Sequence, residues 1–208
     1  MNIMQKMGLL TAFALSNLLP HVNACIALNL NNSGGNPSML IQQYRTAAQQ
    51  GDASAQYNLA ILYLQGKGTA TNNQEAFKWL KQSADQGLAA AQYNLGLLYA
   101  RGTGTDQNLS EAYQWFMQAA QQNVPQAQNN LGLMLAMGIG TKANPTKGFY
   151  WVHKAATAGF DAAQFNLGHF YQQGIGTVSD TELALKWYTQ AQQLGYPGAQ
   201  QAINNLKK

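Results

Sequence analysis

The chain has 208 residues, of which 46% are hydrophobic and 10% are charged, and its formal net charge is +4. This hydrophobic content excludes global disorder, while the charged fraction is well below the roughly 25% of an average soluble protein, so that Gln and Asn carry much of the polar surface. The lysines are scattered along the chain, which argues against nucleic-acid binding, because that function needs a concentrated basic surface.

The first 24 residues have the features of a signal peptide. Lys6 precedes an apolar run over residues 8–19, and small residues suited to cleavage end at Ala24. The apolar run is shorter than the roughly 20 residues that a membrane-spanning helix needs. The sequence therefore predicts an exported protein, periplasmic or secreted, whose mature chain begins near residue 25.

Cys25 is the only cysteine and directly follows the predicted cleavage site. Its position is similar to that of the lipid-bearing cysteine of bacterial lipoproteins, although His21 and Asn23 replace the small or apolar residues usual there. We expect ordinary cleavage to a soluble exported protein. Lipidation of Cys25, which would attach the protein to the outer membrane, is the alternative. In both cases no internal disulfide can form, so stability must come from the core.

From residue 37 onward the sequence repeats with a period of 36 residues. The pattern Gly-x-Gly-Thr returns at 66–69, 102–105, 138–141 and 174–177. Lys67 gives the first copy a likeness to a phosphate-binding loop, but the other copies lack the lysine and the spacing of that motif is absent. We interpret the first glycine as the left-handed end of one helix and the second as part of a tight turn toward the next.

Each repeat contains two predicted helices. Helix A carries Ala-Gln-x-Asn-Leu, and helix B carries one tryptophan at a constant phase, which favours a packing role. The tryptophans are Trp79, Trp115, Trp151 and Trp187. Each helix B follows a residue suited to an N-cap, and Glu75 and Glu111 are placed to complete a capping box. The predicted caps are Asn36, Asn72, Asn108, Asn144 and Asp180.

The unit count divides the mature chain into a linker, two capping helices and four repeats. We expect the flexible linker at 25–36 and the capping helices at 37–50 and 195–208. The repeats are expected at 51–86, 87–122, 123–158 and 159–194. Terminal half-units are typical of repeat stacks, because an internal unit can bury its apolar face only against neighbours.

With A-x-x-x-L-G-x-x-Y in helix A, the G-x-G loop and A-x-x-W in helix B, residues 37–206 resemble the Sel-one-like repeat family, a relative of the tetratricopeptide repeat. The resemblance implies an all-α fold, an α-solenoid of helix-turn-helix repeats forming a tetratricopeptide-like superhelix. It also implies a concave groove that binds a protein or peptide, in scaffolding, envelope function or host interaction. Three positions depart from the family pattern: Ala60, Asn129 and Gly148.

If the helices stack as tetratricopeptide units do, residues of helix A should line one groove. The predicted groove residues are Tyr57, Ile61, Leu64, Tyr93, Leu97, Arg101, Asn129, Leu133, Met137, Phe165, His169 and Gln173. Tyr, Arg and Met are residue types that anchor interfaces. The alternative is that Tyr57, Tyr93 and Phe165 pack between adjacent repeats, and helical periodicity leaves both possibilities open.

A row of asparagines lies beside the core leucine of each helix A. Its members are Asn58, Asn94, Asn130 and Asn166. Such a row of amides could bind a peptide backbone. We favour a structural hydrogen bond between helices, because the asparagine recurs in every unit.

The alternative function is an exported β-lactam-binding protein or hydrolase, since some members of the resembled family have been linked to β-lactam chemistry. No serine has a lysine three residues later, as a penicillin-recognising site requires. His153 and His169 lie on different predicted helices, and no second thiol is present, so neither a metal site nor a catalytic pair is indicated. We therefore expect no enzyme and no cofactor. The predicted partner is a protein or peptide, with membrane attachment only if Cys25 is lipidated.

Overall fold

The computed structural model describes residues 37–206, which form ten α-helices and no strand. The predicted signal peptide (1–24), the linker at 25–36 with Cys25, and the cap Asn36 lie outside the described residues. The helices are α1 Pro37–Gln49, α2 Ala53–Gln65, α3 Asn73–Asp85, α4 Ala89–Arg101, α5 Leu109–Gln121, α6 Pro125–Met137, α7 Pro145–Thr157, α8 Asp161–Gln173, α9 Thr181–Gln193 and α10 Ala199–Leu206. The all-α fold predicted from the sequence is confirmed.

The described helices form two compact units, residues 37–119 and residues 120–206. In the first unit, α1 packs on α2, α2 on α3 and α3 on α4, and the ring of Tyr93 in α4 lies 5.8 Å from that of Phe116 in α5. In the second unit, α6 packs on α7, α7 on α8, α8 on α9 and α9 on α10. Within each unit, consecutive helices therefore pack on one another, which is the arrangement that the helix-turn-helix repeat predicts.

The final helix begins later than the repeat period indicates. Residues 194–195 and 197–198 form turns, and α10 begins at Ala199. Gly198 has a φ of 85°, in the left-handed region. A residue in that conformation cannot belong to the first turn of a right-handed helix, so the helix starts after it.

Helix B begins at the predicted caps within the described residues. The side chain of Asn72 accepts a hydrogen bond from the backbone N–H of Glu75 at 3.1 Å, and Asp180 accepts one from Leu183 at 2.9 Å. Asn108 and Asn144 cap their helices in the same way, at 3.1 and 3.0 Å.

The predicted capping boxes are wrong at Glu75 and at Glu111, because the backbone N–H of each cap residue bonds to a carbonyl of helix A. The backbone N–H of Asn72 donates to the carbonyl of Tyr63 at 3.0 Å, and the carboxylate of Glu75 accepts instead from the indole N–H of Trp79 at 3.1 Å. Equivalent backbone bonds run from Asn108 to Tyr99 and from Asp180 to Tyr171, both at 2.9 Å. The cap residue therefore ties the start of helix B to the last turns of its own helix A.

The two glycines of the G-x-G loop have different roles. The first glycine ends helix A in the left-handed conformation, as predicted, with φ between 66° at Gly66 and 72° at Gly138. A Cβ atom on the second glycine would lie 2.1 Å from the carbonyl oxygen of Asn73 at Gly104, and 2.1 Å from that of Pro145 at Gly176. The second glycine thus allows the loop to rest on the first residue of helix B in the preceding repeat.

The interface between helices A and B matches large side chains with small ones. A Cβ atom on Gly96 would lie 2.7 Å from the ring of Phe116, and one on Gly168 would lie 2.7 Å from the ring of Tyr188. In the first repeat Leu80 occupies the position of these rings, and Ala60 is fully buried beside it. A smaller partner leaves room for the extra methyl group, which explains why alanine replaces glycine at that position.

In the third repeat, helices α6 and α7 approach each other closely in a different way. Here both facing positions are glycine, and a Cβ atom on Gly148 would lie 2.6 Å from the carbonyl oxygen of Gly132 and 2.8 Å from Cβ of Ala136. The glycine at 148 therefore allows the backbones of α6 and α7 to approach without an intervening side chain.

Substitution of Gly148 by alanine is expected to lower the free energy of unfolding by about 1–3 kcal/mol, the usual cost of overpacking. Alanine is also a better helix former than glycine by about 1 kcal/mol, which opposes the cost of the steric clash. The sign of the change in the free energy of unfolding therefore shows which of the two effects is larger. Urea denaturation followed by circular dichroism measures the change. A variant as stable as the wild type would show that α6 and α7 separate readily to admit a methyl group.

A row of buried glutamines, which the sequence analysis did not single out, joins each helix A to the preceding helix B. The side-chain amide of Gln56 donates to the carbonyl of Ala48 at 3.1 Å, and that of Gln128 donates to Ala120 at 3.2 Å. Gln92 and Gln164 repeat the bond at 3.3 and 3.4 Å. The Ala-Gln pair that recurs in every repeat could have predicted these bonds, because a polar residue kept at a buried position of the repeat needs a hydrogen-bond partner.

Candidate binding site on the helix A faces

The predicted groove residues divide into a buried set and a partly exposed set. The buried residues are Ile61, Tyr93, Leu97, Asn129, Leu133 and Phe165. The residues that retain solvent exposure are Tyr57, Leu64, Arg101, Met137, His169 and, as the most accessible, Gln173. A binding surface on helix A can therefore use the second set without any rearrangement of the core.

The aromatic residues at the phase of Tyr57 contact neighbouring helices. Tyr93 is 4% exposed and packs on Phe116. Phe165 is 9% exposed and stacks on Tyr196, with ring centroids 4.7 Å apart. Tyr57 also packs against the core of its unit but keeps partial exposure.

Two members of the asparagine row, Asn94 and Asn166, form hydrogen bonds between helices, as the structural interpretation expects. The amide of Asn94 donates to the hydroxyl of Tyr57 at 3.2 Å and to the carbonyl of Ala90 at 3.0 Å. In the other unit, Asn166 donates to the side-chain oxygen of Asn129 at 2.8 Å. Asn129 replaces an aromatic residue yet supplies the same acceptor, so this departure from the family pattern preserves the bond between repeats.

The last residue of each helix A lies at the partly accessible end of the helix. In the unit 37–119, Arg101 ends α4, and burial lowers the pKa of its guanidinium group, although the group stays charged at neutral pH. Leu64 lies one residue before the end of α2 and packs at the margin of the core. In the unit 120–206, Met137 ends α6 and Gln173 ends α8. These ends offer long side chains with apolar stems, which suit contacts with another polypeptide.

His169 is the titratable residue of the predicted groove set whose burial carries a pH consequence. Burial lowers the pKa of its imidazole, because desolvation penalises the charged form. The unfolded chain then binds this proton more readily than the folded chain. The free energy of unfolding should therefore fall as the pH decreases below about 6.5, the ordinary value for histidine, toward the lowered value in the fold.

Substitution of His169 by leucine, the residue that the second and third repeats carry as Leu97 and Leu133, should remove this part of the pH dependence. Urea denaturation of both proteins at about pH 8 and about pH 5 tests the expectation. If the wild type and the variant lose the same free energy between these pH values, the imidazole of His169 is not responsible.

Between residues 37 and 206, no three His, Cys, Asp or Glu side chains gather closely enough to hold a metal ion. His153 lies between two rings, 5.9 Å from Phe149 and 6.0 Å from Trp187. Ser83 is buried and donates its hydroxyl to the carbonyl of Ala53 at 2.7 Å, which gives it a structural role. None of the helices in the same part of the chain combines the length and apolar character needed to cross a bilayer.

The model of one protein family, the Sel1 repeat, matches most of the chain. The matches cover residues 53–88, 89–124, 125–160 and 161–196. No curated protein sequence matches the chain.

Solved structures with the same repeat are similar to this chain. A protective antigen of uropathogenic Escherichia coli strains, which has an SLR fold, is 36% identical with a TM-score of 0.72, and the match covers 74% of this chain and 33% of that one. A Sel1 repeat protein from Oxalobacter formigenes is 35% identical with a TM-score of 0.72, covering 76% and 65%. The chain therefore spans a third of the first protein and just under two thirds of the second.

An immunity protein from Pseudomonas aeruginosa matches over more of the chain but at lower identity. It is 19% identical with a TM-score of 0.50, and the match covers 93% of this chain and 68% of that one. Similarity at this level shows a common fold alone.

Proposed function

The chain belongs to the Sel1 repeat family, and we propose that it is an exported scaffold whose helix A faces bind a protein or peptide segment. Proteins built from such helical repeats generally act in protein interactions, and a stack of helices offers an extended surface for that purpose. The proposal assigns binding to the partly exposed set on helix A and gives the buried set the task of holding that surface in shape.

The observation that carries the proposal is the pairing of a rigid framework with exposed anchor residues in the unit 37–119. The bond from Asn94 to Tyr57 fixes α4 against α2. Leu64 and Arg101 keep partial exposure on these two helices. An aromatic ring, an aliphatic side chain and a guanidinium group on helices joined in this way need little backbone rearrangement on binding, which favours recognition of another polypeptide.

Site-specific photo-cross-linking in the envelope of the native host tests the proposal. A photoreactive amino acid replaces Leu64 or Arg101 in the full chain, and matched variants carry it at Gln82 or Gln114, which are exposed on helix B. Protein adducts should form from the helix A positions and not from the helix B positions. Equal adducts from both sets, or adducts from helix B alone, would contradict binding on the helix A faces.

Export is a separate part of the proposal and has its own test. Support comes from the signal-peptide pattern and from the similarity to a protective antigen of Escherichia coli, since an antigen is met outside the producing cell. Mass spectrometry of the protein recovered from a bacterial host should show a chain that begins at Cys25. A mass increased by acyl chains would establish the lipoprotein alternative, and a chain that retains residues 1–24 would contradict export.

A further inference from the structure

Helix α7, in the third repeat, differs from the B helices of the other three repeats along one exposed face. The helices α3, α5 and α9 each have a glutamate in the first turn, whereas α7 has no acidic residue and carries Lys147 at the same phase as Glu75 and Glu111. Residue 150 is tyrosine where the other repeats have lysine or glutamine, and residue 154 is lysine where they have glutamine. These three changes surround the invariant tryptophan of the repeat, here Trp151.

The four residues form one continuous face, because positions 147, 150, 151 and 154 follow the spacing of an α-helix. The ring of Tyr150 lies 5.3 Å from that of Trp151 in an edge-on arrangement, and the ammonium group of Lys154 lies over the Trp151 ring at 5.3 Å. Tyr150 is 58% exposed, and the side chain of Lys147 is also exposed. Lys147 and Lys154, separated by about 10 Å along the helix axis, therefore flank the aromatic pair of Tyr150 and Trp151.

The polar groups of this face are nearly all hydrogen-bond donors. The indole N–H of Trp79 donates to Glu75, whereas Lys147 at the equivalent position has no acceptor to offer the indole N–H of Trp151. Two ammonium groups, an indole N–H and a phenol hydroxyl thus point to a partner rich in acceptors and negative charge. The exposed ring of Tyr150 adds apolar contact area, which suits a folded or extended polypeptide more than a bare anion.

We propose that the face of α7 formed by Lys147, Tyr150, Trp151 and Lys154 is a second docking surface, which binds an acidic polypeptide segment carrying apolar residues between its carboxylates. This surface lies on helix B of the unit 120–206 and does not depend on the helix A surface proposed above. Carboxylates pair with the two lysines, and the intervening apolar side chains contact Tyr150 and Trp151. The charge complementarity fixes the class of partner, and the aromatic pair supplies most of the contact area.

The test uses residues that the other repeats already carry. The triple variant Lys147→Glu, Tyr150→Gln, Lys154→Gln converts the face to the residue types at the same phases of α5, and it should fold because those types are tolerated there. Its net charge is lower by three, two from Lys147→Glu and one from Lys154→Gln. The control Lys78→Glu, Lys81→Gln lowers the net charge of the full chain by the same three units on α3, which has a mixture of acidic and basic residues.

Fluorescence anisotropy measures binding of a labelled octapeptide with glutamates at both ends and leucines at its centre, and a second peptide has glutamine in place of glutamate. We expect the triple variant to bind the acidic peptide at least about tenfold more weakly than the wild type, with the control within about twofold. The glutamine peptide should bind weakly to all three proteins, and added salt should weaken the acidic complex.

Equal affinity of the wild type and the triple variant for the acidic peptide would overturn the proposal, as would an equal loss in the control. The same holds if the wild type shows no binding. Sedimentation with vesicles containing phosphatidylserine tests whether the face binds an anionic lipid surface instead of an acidic polypeptide. Binding to those vesicles without binding to the peptide would assign the face to a lipid surface and contradict a polypeptide partner.

Discussion

Replacing Gly176 by alanine is expected to lower the free energy of unfolding by about 2–5 kcal/mol, the sum of left-handed strain and overpacking. Gly176 has a φ of 69°, and a Cβ atom there would lie 2.1 Å from the carbonyl oxygen of Pro145 and 3.0 Å from Cβ of Phe149. Because the obstacle at 2.1 Å is backbone, no side-chain rotation relieves it. The loop would have to leave the first turn of α7, and the contact between the two repeats would open.

Gly174 in the same loop is the matched control. Its φ is 67°, but the atom nearest to a Cβ added there, the backbone N of Ser179, would lie at an ordinary 3.4 Å. Alanine at 174 should therefore cost only the backbone strain, about 1–2 kcal/mol. Urea denaturation gives the free energy of unfolding of both variants, and the difference between the two losses is the cost of the close contact with Pro145 alone. Equal losses at the two positions would mean that the loop moves away from Pro145 at little cost.

Replacing Gln128 by glutamate should destabilise the protein by about 3 kcal/mol at neutral pH, as expected for an uncompensated buried charge. The side chain of Gln128 is 1% exposed, and its amide donates to the carbonyl of Ala120. A carboxylate of the same shape presents an acceptor to that carbonyl and loses its hydration. Burial raises the pKa of such a carboxyl group, so the destabilisation belongs to the ionised form.

The sign of the pH effect shows whether Gln128→Glu destabilises the protein through the charge or through the shape of the new side chain. With a carboxyl pKa raised in the fold, the difference in free energy of unfolding between the variant and the wild type should shrink as the pH falls and the group becomes protonated. The substitution Gln128→Met is the control, since it keeps the volume without the charge and should cost about 1 kcal/mol at any pH. A glutamate variant whose deficit is unchanged between neutral and acidic pH would show that the loss comes from packing.

The two proposed surfaces can be tested independently, because they lie on different helices. Variants at Leu64 or Arg101 change helix A in the unit 37–119, and the α7 variants change helix B in the unit 120–206. Loss of the photo-cross-links would leave peptide binding by α7 intact, and the reverse also holds. The failure of one proposal therefore does not decide the other.

The positions of the helices, and the residues at which most of them begin and end, could be predicted from the amino-acid sequence. Caps such as Asn72 and the first glycine of each loop, such as Gly66, act within a few residues of the chain, so their spacing predicts local structure directly. The period of 36 residues extended that local result to the repeat fold, because identical units bury their apolar faces only by stacking. Even the structural role of Asn94 followed from its recurrence in every unit.

Which residues of helix A face outward depends instead on how the helices pack in three dimensions. In α4 every residue from Ala91 to Leu98 is buried, and a helix that is covered on nearly all sides carries no periodic signal for its exposed face. Tyr93 is therefore packed while Arg101, two turns later, remains partly accessible. The contact of Gly176 with Pro145 and the bond of Gln128 to Ala120 likewise join different helices, and their geometry depends on how close the repeats approach, which a one-dimensional period does not contain.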